Sequence, residues 1–185
     1  STGNGVCDTA SSSVIINFEP TPEVSAGFDI DICADEPIIQ LAGSFTLASS
    51  ASWSTNGSGS FSPDTDEMSA LYEPTSADTS AGSIDIFLTT APTLCPAQID
   101  TIKINFSPLP QVNAGDTLQL CDDTTAISLN GLIKNAPGGV WNTSGDGFFS
   151  TSQNDITGTY VLGNLDIGKQ FIGLTLENVG NNLCP

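Results

Sequence analysis

The chain has 185 residues, with 21 acidic side chains against 3 basic ones and a formal net charge of −18. The basic residues are Lys103, Lys134 and Lys169; Arg and His are absent. Such a chain repels nucleic acid and anionic membrane surfaces. It has no apolar run near the roughly 18 residues that span a bilayer, and it lacks the commonest general base and zinc ligand.

The 22 Ser, 20 Thr, 18 Gly and 11 Pro favour short strands and turns over long helices. Residues 1–5 are polar, so the chain reads as a mature fragment without a signal peptide. Residues 11–18 read as an isolated strand. Glu23 to Cys33 reads as a strand kinked at Ala26-Gly27, and Ile38 to Phe45 as a second. Ala51 to Ser54 carries Trp53. Asn56 to Gly59 is a turn, and Ser60 to Ser62 is a short strand stopped by Pro63. Met68 to Glu73 holds Leu71 and Tyr72. Asp78 to Gly82 reads as one helical turn stopped by Gly82. Ser83 to Thr90 turns Ile84, Ile86 and Leu88 to one face, and Ile99 to Phe106 does so with Ile102, Ile104 and Phe106.

The rest of the chain repeats this order. At a shift of 88, Phe18 meets Phe106, Pro20 and Pro22 meet Pro108 and Pro110, and Ala26-Gly27 meets Ala114-Gly115. Cys33 meets Cys121, Trp53 meets Trp141, Tyr72 meets Tyr160 and Asp78 meets Asp166. Cys7 meets Cys95 at 88, and Cys95 meets Cys184 at 89. Coincidence of the rarest residue types at one shift marks a tandem repeat. Residues 1–18 then read as the C-terminal end of a preceding repeat, 19–106 as a complete repeat, and 107–185 as a repeat lacking its last strand. About seven short strands per unit predict an all-β chain of immunoglobulin-like sandwiches arranged end to end. Trp53, Tyr72, Trp141 and Tyr160 are the expected core aromatics.

The order Val24-Ser25-Ala26-Gly27, Cys33, Leu41-Ala42-Gly43, Trp53, Gly57 to Ser62, Tyr72, Ala77 to Gly82, Leu88-Thr89-Thr90, Cys95 resembles a secreted repeat. It is similar to the PKD/Ig-like modules of giant Bacteroidota surface proteins, including SprB-type gliding-motility adhesins and other type IX secretion cargo. The second copy keeps Val112 to Gly115, Cys121, Leu129-Asn130-Gly131, Trp141, Gly145 to Ser150, Tyr160 and Cys184, and departs at Asn164 to Gly168. The resemblance implies an extracellular, non-enzymatic, adhesion or stalk segment of a long surface protein or filament. Its partners would be neighbouring repeats. A polysaccharide-binding module, using loops near Gly57 or Gly145, is the alternative, and a donor-strand-assembled filament subunit is a third.

In a secreted repeat, recurring cysteines imply disulfides. Two pairings stand open. One joins Cys33 to Cys95 and Cys121 to Cys184 within units. The other joins Cys33 to Cys184 across the joint at Ser107 to Pro110, because in an Ig topology Cys33 and Cys95 lie at opposite ends of a sandwich, too far apart for a bond. The P-x-P joints at Pro20 and Pro108 favour a semi-rigid spacer. Acidic clusters at Asp29/Asp31, Asp35-Glu36, Asp64/Asp66/Glu67 and Asp122-Asp123 read as solvated; Asp35 and Asp123, recurring at unit ends, are weak Ca²⁺ candidates. No cofactor is expected otherwise. A Lys–Asn isopeptide is not expected, since no Lys recurs on the register. Asp-Ser/Thr triplets at Thr9, Thr101, Thr117 and Thr124 resemble the O-glycan acceptors of secreted Bacteroidota proteins.

Overall fold

The computed structural model describes residues 11–35, 38–121, 123–180 and 183–184. It is built almost wholly of strands. The first unit contains β1 (Glu23–Ser25), β2 (Ile30–Cys33), β3 (Ile39–Gln40), β4 (Ser44–Thr46), β5 (Ala51–Thr55), β6 (Ser60–Ser62), β7 (Leu71–Glu73), helix α1 (Ser76–Ala81), β8 (Ser83–Thr90) and β9 (Ile99–Ser107). The second contains β10 (Gln111–Asn113), β11 (Ala126–Ser128), β12 (Leu132–Lys134), β13 (Gly138–Thr143), β14 (Phe148–Phe149), β15 (Thr159–Val161) and β16 (Leu174–Val179).

In the first unit a four-stranded sheet, ordered β2-β9-β8-β5, faces a three-stranded sheet, β3-β7-β6, with β1-β4 as a separate pair. β8 alternates without a break, burying Ile84, Ile86 and Leu88 at 4%, 0% and 0% exposure. These pack with Ile102, Ile104 and Phe106 of β9, Trp53 of β5, and Ile39 and Tyr72 from the opposite sheet. Burying each such side chain stabilises by about 1.5–3 kcal/mol before the cost of ordering the chain.

Two expected strands divide. Glu23 to Cys33 is not one kinked strand: β1 pairs with β4, whereas β2 runs parallel to β9 in another sheet. Gly27, at φ 105°, turns the chain between them. Ile38 to Phe45 divides likewise into β3, which pairs with β7, and β4. The helical turn begins earlier than expected, at Ser76. Thr75 caps it with a full capping box, and Gly82 closes it in the left-handed conformation.

The second unit repeats the three-stranded sheet as β11-β15-β14 and the separate pair as β10-β12. Of the four-stranded sheet only β13-β16 is present among the described residues. Ile127, Leu129, Trp141, Tyr160 and Leu176 form its core. The segment matching α1 is a run of turns around Asp166 rather than a helix.

Candidate functional site at the joint between units

Because β2 and β9 are parallel, they end together, and Cys33 lies opposite Ser107 in the register. Three residues, Pro108-Leu109-Pro110, then lead to β10. The Ser107 carbonyl accepts a hydrogen bond from the Ala34 N–H at 2.9 Å, and Cys184 Sγ lies 3.3 Å from the same oxygen. Asn135 Nδ2 donates to the Leu109 carbonyl at 2.9 Å. Around this point Cys33 and Cys184 form a disulfide, with Cα atoms 5.1 Å apart and 151 positions apart in the chain. Both are buried, at 1% and 0% exposure. The bond joins the end of one sandwich to the next.

The within-unit pairing does not occur. Cys95 and Cys121 are free thiols. Cys95 precedes β9 whereas Cys33 lies beside its end, so nine residues of extended strand, roughly 30 Å, separate them. Cys95 Sγ instead donates to the Glu19 carbonyl at 3.6 Å. Glu19 stands 88 positions before Ser107, so Cys95 occupies at the start of the first unit the place that Cys184 occupies at the joint. Cys7 lies outside the described residues, as do Glu36, Asp122 and Thr9.

Among the described residues, the one grouping of three side chains with metal-ligand atoms is Cys33, Asp35 and Cys184, within 4.8 Å. Its two sulfurs bond to each other and are not thiolates. Asp35 therefore brings one carboxylate to a spot where Ca²⁺ would take six to eight oxygens. Asp123 is exposed. Other acids hold neighbouring chain: Asp29 accepts from the Lys103 backbone N–H at 2.9 Å, Asp64 from the Asp66 and Glu67 backbone N–H groups, and Asp31 from the side-chain amide Nδ2 of Asn105 at 2.8 Å.

Trp53 and Trp141 are 2% and 1% exposed, and each indole N–H donates to a backbone carbonyl, of Glu67 and Ile156. Neither ring can stack on a sugar. The loops near Gly57 and Gly145 are engaged inward. Tyr72 Oη donates to Asp78 Oδ2 at 3.0 Å and accepts from the Gly59 N–H; Asp78 also accepts from the Ser58 and Thr75 N–H groups at 2.7 and 2.9 Å. Tyr160, Asp166, Gly147, Asp146 and Gly163 repeat the arrangement. A Cβ on Gly57 would meet Tyr72 Oη at 2.6 Å, which explains the glycine. Burial alone would raise the Asp78 carboxyl, but the donated hydrogen bonds outweigh it and hold it at about 2; Asp166 is likewise held at about 2. Burial pushes both tyrosines up. Sequence reasoning assigned no role to these two acids, although the Tyr-to-Asp spacing is identical in both units.

Thr101 on β9 and Thr117 are exposed, and Thr124 is half-buried, its N–H donating to the Cys121 carbonyl. No described helix is long and apolar enough to cross a membrane.

No family model and no curated protein matches the chain. Among solved structures it is similar to protocadherin gamma B2 extracellular cadherin domains 3–6, at 14% identity and TM-score 0.45, covering 77% of this chain and 39% of that one. It is similar also to a protocadherin gammaB7 EC3–6 cis-dimer structure, at 14% identity and TM-score 0.41, covering 85% and 46%. A third is the human desmocollin-1 ectodomain, at 9% identity and TM-score 0.41, covering 89% and 37%. The chain spans less than half of each.

Proposed function

We propose that the chain is a run of tandem Ig-like modules, with unit boundaries at 18/19 and 106/107, acting as a stiff extracellular stalk in an adhesion-type surface protein. The observation that carries this reading is the Cys33–Cys184 bond, placed between units rather than within one. A bond inside a sandwich would protect that sandwich and leave the Pro-x-Pro joint to hinge. A bond across the joint fixes the angle between units. A disulfide is in keeping with an oxidising, extracellular setting. An acidic, Arg-free and His-free coat keeps like-charged neighbours apart. The exposed Thr101 and Thr117 would be the reachable acceptors if the chain is O-glycosylated.

The test is small-angle X-ray scattering of the oxidised chain against the double variant Cys33→Ser/Cys184→Ser. The expected result is a broadened pair-distance distribution in the variant, with both sandwiches still folded by circular dichroism. Superimposable curves would reject the stiffening role.

A further inference from the structure

The joint between the units changes its chemistry with its redox state. Oxidised, Cys33 and Cys184 spend their sulfurs on each other. Reduction would leave two thiols on separate sandwiches, starting from Cα atoms 5.1 Å apart. The Asp35 carboxylate stands beside them, and the ligand atoms of all three side chains lie within 4.8 Å of one another. The Ser107 carbonyl oxygen is 3.3 Å from Cys184 Sγ. Atoms at that spacing can converge on one ion, since a Zn–S bond is about 2.3 Å and a Zn–carboxylate bond about 2.0–2.2 Å. Both cysteines are buried while Asp35 is exposed, so the spot has a dry wall and a wet mouth.

A disulfide requires no acid, yet the acid recurs with the cysteine. Asp35 follows Cys33 by two positions, and Asp123 follows Cys121 by two at the matching place in the second unit. A carboxylate beside two thiolates brings three negative charges together, and they repel one another. A cation placed between them turns that repulsion into coordination. The donors select the ion: two soft thiolates with one carboxylate suit zinc, whereas Ca²⁺ and Mg²⁺ take shells of oxygen. The chain has no His, so zinc has to be taken through cysteine. The net charge of −18 draws divalent cations toward the surface.

We propose that the reduced joint is a zinc site. The Cys33 and Cys184 thiolates and the Asp35 carboxylate are its protein ligands, and the fourth tetrahedral position is open to water. The ion and the disulfide exclude each other. Two molecules of glutathione reduce the bond and leave as glutathione disulfide, while Cys33 and Cys184 take up one proton each. Zn²⁺ then binds, and both protons pass to solvent. Glutathione disulfide reverses the sequence: the sulfur–sulfur bond re-forms, Zn²⁺ is expelled, and two glutathione molecules leave with two protons from solvent. The ion clasps the same two points of chain that the bond clasps, so the joint stays closed in both redox states. Zinc binding at the joint goes beyond the stalk reading and does not depend on it.

The experiment uses the full chain carrying Cys7→Ser/Cys95→Ser/Cys121→Ser, so that the joint holds its only thiols. The protein is reduced with a phosphine under nitrogen until thiol titration accounts for both sulfurs. Zn²⁺ is titrated against a chromogenic chelator, and Cd²⁺ reports thiolate ligation by its ultraviolet charge-transfer band. The reduced chain should hold one Zn²⁺ against the chelator and release protons, and the oxidised chain should hold none. Asp35→Asn alters an exposed side chain. It should leave the melting profile of the oxidised chain unchanged and weaken zinc at least about 10-fold in the reduced one. Cys184→Ser should abolish tight binding. Urea should weaken it too, because the two sulfurs then sit on an open chain at a sequence separation of 151. A reduced chain that holds no zinc overturns the proposal. So does equal affinity in Asp35→Asn, in Cys184→Ser or in urea, or equal uptake by the oxidised chain. The stalk reading stands or falls separately, on the scattering of the oxidised chain against Cys33→Ser/Cys184→Ser.

Discussion

Asp78 and Asp166 tie three pieces of chain in each unit to one carboxylate: the Gly-rich loop, the core tyrosine and the turn that precedes the β8 or β16 region. A carboxylate held by this many donors is lowered from its ordinary 3.8 to about 2. A depressed folded value means that the stabilisation is fully present above the unfolded value near 3.8. It is lost as pH falls toward and through about 2, because the unfolded chain then binds protons more readily. The shift corresponds to about 2 kcal/mol per site. Urea titrations should show constant stability from pH 7 to about 5 and a steep fall between about 4 and 2. Asp78→Asn and Asp166→Asn should each cost about 2 kcal/mol at pH 7 and flatten that acid limb. A variant whose stability still falls as steeply as the parent's would show that other carboxylates govern it.

At the scale of elements, β9 separates the two units. Ile104 at its centre is fully buried, and Ile104→Ala should cost about 2–5 kcal/mol. Its register mate Ile16 is 70% exposed, and Ile16→Ala should stay within about 0.5 kcal/mol for the monomer. Denaturant unfolding of the two variants gives the comparison directly. Equal costs would mean that Ile16 is buried in solution. These elements also mark how far the sequence could be read. β6 and β8 carry their own signals, a Pro stop and an unbroken alternation, so their bounds were legible as Ser60–Ser62 and Ser83–Thr90. The divisions at Gly27 and between Gln40 and Ser44 were not, because a strand that changes sheets keeps its local pattern and only its partners differ. The place of Cys33 was legible through the topology, since a strand's end can be inferred from its neighbours. The Asp78 network was not, because its donors come from loops brought together only by folding, although the repeated Tyr-to-Asp spacing hinted at it.

For the whole molecule, the Cys33–Cys184 bond closes a loop across a sequence separation of 151, and that loop includes most of both cores. A pull applied at residues 11 and 184 enters at the first, crosses from Cys33 to Cys184 through sulfur, and leaves. The enclosed chain, roughly 500 Å when extended, is off the load path. Single-molecule pulling of the oxidised chain should therefore release only the segment before Cys33, and adding reductant should expose the hidden length in later steps. Release of the full length under oxidising conditions would contradict this. The bond thus acts as a mechanical shunt. Force that would peel the first unit from the second at Pro108-Leu109-Pro110 is diverted past that joint, so each sandwich can fluctuate or partly open without lengthening the molecule.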